Sequence, residues 1–537
     1  MTTPTSLQPH SRPITEPARQ PSAVVLFVRL FLTDYARNPV NLLVLVLVPL
    51  VFVVVAAGSL ADAAELLAGG SEAPAVETAA AGWAAGFLAA LAMYFQVSAA
   101  RETDRRLVIS GLPGARLVAA RLLTGLGLAL LAGGAGLVAL ALRTGIDNPA
   151  RAAGGAVMFA VIYLGIGALV GVLARNPVNG TVVILFVWII DVFFGPSMSG
   201  LDRVATRALP THFVSLWMVD LPSRHGGRVG DLGWALIWTT GAIAVAYTVI
   251  AAATRVARPH HRLVSGSVAD QLVGTVTGGW REWRRNPVLW LLLAAVPAVF
   301  VLASDAITPP GHTPVVVNEG GRVTTQMLDP AHMHAGTMTP IGIASLAALT
   351  GLFLVLDARA GDQRLTLAGM RTGTVLAARL TIVLIATLVT AATSLAVTAT
   401  VFTPHQWPVY AAANVLIGAT YALVGVLLGP IFGRVSGVFI AFLIPFLDLG
   451  IGQSPMLRSE PPPWAQYLPG YGGIRVMLDG GLTEGFDETR GLLIALAWLT
   501  VLAVTAAAVF HRTARSNGRV PAGSRPAGSR HAGSRHG

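Results

Sequence analysis

The chain has 537 residues, 54% of them hydrophobic and 12% charged, with a formal net charge of +11 and a mean hydropathy of +0.66. Repeated apolar runs of about twenty residues, enough to cross roughly 30 Å of hydrocarbon, exclude a soluble enzyme. An outer-membrane barrel is excluded too, because its strands alternate polar and apolar residues whereas 40–57 is apolar apart from Asn41 and Pro49.

Residues 1–22 are rich in Pro, Ser, Thr and Arg and read as a disordered cytoplasmic tail, not a cleaved signal peptide. An amphipathic stretch near 24–36, too charged to span, is expected to lie as an elbow helix in the inner interface. Spans are then predicted near 40–60, 81–100, 117–142, 152–173, 179–198 and 234–254. A cytoplasmic linker at 255–270 and a second elbow near 272–285, with Trp280 and Trp283, lead into a second set. That set lies near 288–307, 338–356, 375–401, 409–430, 435–452 and 490–510. Residues 512–537 repeat Ala-Gly-Ser-Arg as a low-complexity basic tail. The expected fold is an all-α polytopic membrane protein of about twelve transmembrane helices, with six-helix repeats at 23–254 and 271–511.

The two repeats are parallel copies by their own letters. Arg37 to Val40 returns as Arg285 to Val288, Ala119 to Leu122 as 377–380, and Ala168 to Leu173 as 422–427; Asp191 is matched by Asp448, and Leu209-Pro210 by Leu468-Pro469. An even number of spans per copy relates them by an axis along the membrane normal. Arg concentrates in the loops that a cytoplasmic N-terminus would place inside, including Arg101, Arg105, Arg106, Arg255, Arg258, Arg284 and Arg285. The expected location is the cytoplasmic membrane, with both termini in the cytoplasm.

Neither Cys nor Lys occurs, so all 37 basic residues are Arg. A P-loop needs the Lys of G-x-x-x-x-G-K-[ST], so the chain is expected to lack an ATPase site and to bind no cofactor itself. Missing Cys rules out disulfides and thiolate metal sites. The charge balance is accounted for by topology, and no nucleic-acid partner is expected.

Two segment types carry candidate chemistry. After the second span of each repeat come Arg101, Glu102, Asp104, Arg105 and Arg106, and then Arg359, Asp362 and Arg364, each run followed by apolar residues and a Gly. Such a segment reads as a short helix with a polar and an apolar face, a handle for a cytosolic partner. Asp191 and Asp448 stand inside otherwise apolar fifth spans, where a carboxylate costs about 2.5–3.5 kcal/mol and must be paired, protonated or turned to a polar cavity. They read equally as substrate-facing gating groups or as polar links holding the outer segment that follows. His332 and His334, near Asp329, read as loop residues with no metal site.

The order of elbow, Pro-bearing first span, charged segment after the second span, and Leu-Pro segment before the sixth resembles the type-2 ABC exporter permeases, twice over in one chain. That resemblance implies that Arg101 to Arg106 and Arg359 to Arg364 couple to separately encoded ABC ATPase subunits, two copies of which use ATP and Mg. It also implies short re-entrant helices in the outer segments; the Gly, Ala, Val and Leu lining expected of the pathway favours a small amphipathic or hydrophobic cargo. The second copy departs at Ala360 and Arg371, where the first has Glu102 and Pro113. The alternative is a proton-coupled transporter of the major facilitator type, to which Asp104-Arg105 bears a superficial likeness.

Overall fold

The computed structural model describes residues 23–37, 39–68, 73–174, 176–199, 202, 204–223, 225–253, 287–367 and 372–516. Among the described residues, eleven helices are long and apolar enough to span, and they make an all-α polytopic membrane protein. Those of the first half are Pro39–Glu65, Pro74–Ile109, Gly114–Arg143, Pro149–Leu173, Pro177–Phe194 and Gly227–Ala253. The second half has Val288–Ala306, Met333–Ala358, Val375–Thr398, Trp407–Gly452 and Thr489–Phe510.

The segment Trp407–Gly452 has 46 residues, which would make a straight helix of about 69 Å, twice a bilayer. It is not straight. Gly433 has φ 68° and ψ −161°, a conformation open to glycine, and it follows Pro430. The spans expected at 409–430 and 435–452 are the two arms of this broken helix.

Asn-Pro pairs punctuate the starts. Asn148 and Asn176 accept hydrogen bonds from the backbone N–H groups of Arg151 (3.1 Å) and Val178 (2.8 Å), and Pro149 and Pro177 take the first helical position. The first span passes through a π-helical turn at Phe52–Ala56 after Pro49; a second π-turn, Phe446–Gly452, follows Pro445.

Second and fourth spans pack closely in both halves because small residues let the backbones meet. A Cβ on Gly167 would collide with the Ala90 carbonyl, and one on Gly425 with that of Ala348. The halves meet through aromatic rings. Phe87 lies 5.2 Å from Phe439 and 6.1 Å from Phe442, Trp188 5.6 Å from Phe442, and Phe52 stacks on Phe446 at 6.5 Å, so the two π-turns face each other. Each such pair contributes about 0.5–1.5 kcal/mol beyond its buried area.

Three details differ from the sequence reading. The charged segments are not separate short helices: Ala73–Ile109 and Pro330–Leu367 run unbroken from span into charge, the first stopping at Gly111 (φ 99°). A β-hairpin, Thr313–Glu319 paired antiparallel with Arg322–Leu328, stands between the first two spans of the second half. Gly320 and Gly321, both at positive φ, make its turn, and Val315 and Val317 bury one face against Met333 and Met456. The last helix continues to Ser516, past the expected start of the tail. The first elbow is the helix Ala23–Ala36; the second elbow, the linker 255–270 and the tail 1–22 lie outside the described residues.

Candidate functional site: a sealed charged end, two carboxylate ties and a central cavity

At the charged end, the segment from Arg101 to Arg106 divides into inward and outward groups. Asp104, spaced to fall on the inner face of its helix, is 5% exposed and takes a bidentate bond from the third-span Arg121 (Nη2 to Oδ1 2.7 Å, Nε to Oδ2 3.2 Å). The Arg121 guanidinium also sits 3.8 Å above the ring of Phe31 on the elbow helix. Second span, third span and elbow are thereby joined at one buried ion. Arg101 reaches across to the carbonyls of Gly171 and Ala174, at the end of the fourth span. Glu102 and Arg106 remain in solvent, 3.8 Å apart, and Arg105 is half-buried. A cleft of about 590 Å³ opens beside them, bounded by Tyr35, Asn41, Gln96, Thr103 and, from the other half, Val435. Burial pushes the Tyr35 hydroxyl up to about 12.

In the second half the backbone of Arg359, Asp362 and Arg364 lies on the last turns of Pro330–Leu367, and their side chains lie outside the described residues. Asp357, one turn earlier, pairs with Arg434 beside the Gly433 break at 2.5 Å in a half-exposed setting. Asp357 stands at the position of Ala99 in the first half, so this pair is an addition of the second half.

Asp191 and Asp448 have matching surroundings. Asp191 accepts from Tyr163 Oη (2.8 Å), Thr211 Oγ1 (2.6 Å) and the Thr211 N–H (3.3 Å). Asp448 accepts from Tyr421 Oη, the Gly470 N–H (2.8 Å) and Gln453 Nε2 (3.2 Å). Each carboxylate ties its span to a fourth-span Tyr and to the residue that follows a Leu-Pro pair. That residue opens a short outer helix, His212–Val219 or Tyr471–Leu482, whose N-terminal dipole favours a negative group. Both acids are 3% exposed and neither lines the central cavity. Tyr163 and Tyr421 escaped the sequence reading, although they recur in register with the acids.

The outer segments carry shifted groups. His212 is fully buried, which lowers its pKa below the usual imidazole value against the pull of Asp202, 3.3 Å away. The hydrogen bond from Arg228 holds Asp220 below the usual carboxylate range. Asp479, buried beneath Thr483, is raised. In the second half these loops clamp the hairpin: Gly320 N–H donates to Asp487 (2.7 Å), and Arg475, paired with Glu488, donates to the Val316 carbonyl (3.3 Å).

Between the halves lies a cavity of about 70 Å³ walled by Phe193, Phe300, Phe446, Met198, Met338 and Met456. Ser304, His334 and Ser454 supply polarity. His334 is thus a correction: it lies in the first turns of a spanning helix, is 8% exposed, and faces the interface of the halves. Among the described residues no cluster of His, Asp or Glu has the geometry to hold a metal ion.

No curated protein matches the sequence. Residues 66–253, the second through sixth spans of the first half, match the family model described as ABC-2 family transporter protein, a match that supports an ABC-2 type permease.

Proposed function

We propose that the chain is the complete membrane-spanning part of an exporter, with a permease lobe from each half, powered by two separately encoded ABC ATPase subunits. The carrying observation is the permease match over 66–253 combined with the Asp104–Arg121–Phe31 junction. A push on Glu102, Arg105 and Arg106 from the cytosol is transmitted to the second span, third span and elbow as one body, because breaking a buried ion pair is costly. ATP and Mg belong to the partner, since a chain without Lys cannot build a P-loop. Both termini and the charged ends are cytoplasmic by the distribution of Arg, in the cytoplasmic membrane. The apolar, aromatic wall between the halves suits an amphipathic or hydrophobic cargo such as an antibiotic-like compound or lipid.

Affinity purification of the full chain from its native host is the test. A P-loop ATPase should be retained, and Arg105→Glu with Arg106→Glu should reduce its recovery at least about tenfold. The fold should survive, because an exposed pair such as Arg106–Glu102 is worth about 0–1 kcal/mol. Recovery without any ATPase, together with proton-driven pumping, would support the secondary-transporter alternative instead.

A further inference from the structure

The cleft at the charged end of the first half, about 590 Å³, falls within the roughly 300–1,000 Å³ of small-molecule sites. Its lining is graded along the membrane normal. Ala92, Gln96, Ala99 and Thr103 are spaced to share one face of the second span and extend over about 16 Å at 1.5 Å per residue. The deep end, at Ala92 and Phe95, is apolar, and the small Ala99 keeps a channel open between the elbow helix and Val435 of the second half. The mouth carries Asp34, Tyr35 and Arg37 from the elbow and Thr103 from the span. This is the polarity profile of a lipid molecule, chain first and then head.

The charges at the mouth select among heads. Asp34 and Arg37 stand one turn apart, 3.7 Å from each other, with 80% and 78% of their side chains in solvent. A pair so exposed holds together weakly, so each charge is open to an exchange of partners. Arg121, the other cation of the lining, is already neutralised by Asp104. The mouth therefore offers one cation and one anion side by side, the complement of a zwitterion whose phosphate is followed by an ammonium.

We propose that the cleft binds one phosphatidylethanolamine molecule, with its phosphate on Arg37, its ammonium on Asp34 and one acyl chain along Ala99 and Ala92. A head with a net negative charge faces Asp34 without an ammonium to pair it, and a quaternary choline has no N–H to donate there. Phe31 and Arg121 line the same cleft, so the lipid bears on the junction through which the exporter reading passes motion. Its binding does not depend on that reading.

The test uses the full chain in nanodiscs of phosphatidylcholine, without ATPase or nucleotide, containing a phosphatidylethanolamine with a diazirine on its acyl chain. Illumination should label 92–103 of the second span, which is largely buried apart from this cleft. Unlabelled phosphatidylethanolamine should displace that label about fivefold better than phosphatidylglycerol, the worth of one exposed ion pair. Leu384 and Leu388, exposed on another span, should be labelled with no such preference. Asp34→Asn should bring the two lipids level, and Arg37→Gln should weaken phosphatidylethanolamine about fivefold. Ala99→Trp should fill the channel and clear the label from 92–103 while leaving it at Leu388. If that variant does not yield monodisperse protein, the two exposed elbow residues supply the readout. No label at 92–103, equal displacement by the two lipids, or a preference that survives Asp34→Asn would each overturn the assignment, as would an undiminished label in folded Ala99→Trp protein. Because no ATPase is present, none of these outcomes turns on whether one docks.

Discussion

The two halves hold their outer helices by the same carboxylate tie but differ in the segments that pack against those helices. Asp191 with Tyr163 and Thr211, and Asp448 with Tyr421 and Gly470, place the same acceptor at the same junction. Two ion pairs at unmatched positions differ in burial: Asp104 is sealed under Arg121, while Asp357 and Arg434, where the first half has Ala99 and Asn176, keep 37% and 46% of their side chains in solvent. The outer faces diverge further, since a hairpin occurs only in the second half among the described residues. Duplication has kept what positions the spans and released what faces the outer end, so unequal behaviour of the halves is expected there.

Breaking the buried pair should have the largest effect. Asp104→Ala strands a buried guanidinium and should cost about 3–5 kcal/mol in thermal or denaturant unfolding, against about 0–1 kcal/mol for Asp357→Ala. Similar losses for the two would erase the contrast between the sealed and the solvated pair.

The carboxylate ties should instead respond alike. Asp191→Asn and Asp448→Asn each turn an amide donor toward backbone or hydroxyl donors, and each should cost about 1–3 kcal/mol. Tyr163→Phe and Tyr421→Phe should cost about 1 kcal/mol apiece, with less than additive losses when each is combined with its own Asp→Asn. Transport that fails while stability is unchanged would give the acids a gating role in place of this structural one.

A smaller effect distinguishes the outer helices by pH. The lowered pKa of His212 means that the unfolded segment takes up a proton first; its stabilisation is complete above about pH 6.5 and declines as pH falls toward the folded value. Asp479 has the opposite sign: with a raised folded value, its contribution is complete below the ordinary carboxylate pKa and is lost as pH rises. Hydrogen exchange between pH 7 and 5 should show His212–Val219 losing protection on acidification while Tyr471–Leu482 does not. Parallel losses would contradict the assignment.

Much of this was legible in the residues because lipid imposes a coarse rule, about twenty apolar residues per crossing, which placed the spans despite the bent helix around Gly433. The recurrence of Asp191 and Asp448 in register pointed to a shared role, but their partners, 28 and 27 residues away at Tyr163 and Tyr421, carry no signal in a search for charged groups. The hairpin carried a signal, Gly320-Gly321 between Val315, Val317 and Val323, which a search for spans passed over. His334 was misplaced because a polar run, Asp329 to His334, resembles a loop until the helix starting at Pro330 is seen to carry it inward. The inward position of Asp104 was likewise invisible while the charged segment was read as a separate short helix.

Vesicles bearing the chain with its copurified ATPase, compared with vesicles bearing the chain alone, provide the most direct measurement. Uphill accumulation of a hydrophobic fluorescent cargo should require both ATP and the ATPase, and should vanish when Arg105→Glu and Arg106→Glu block docking. Sustained uphill pumping by the chain alone, driven by a proton gradient, would contradict the account.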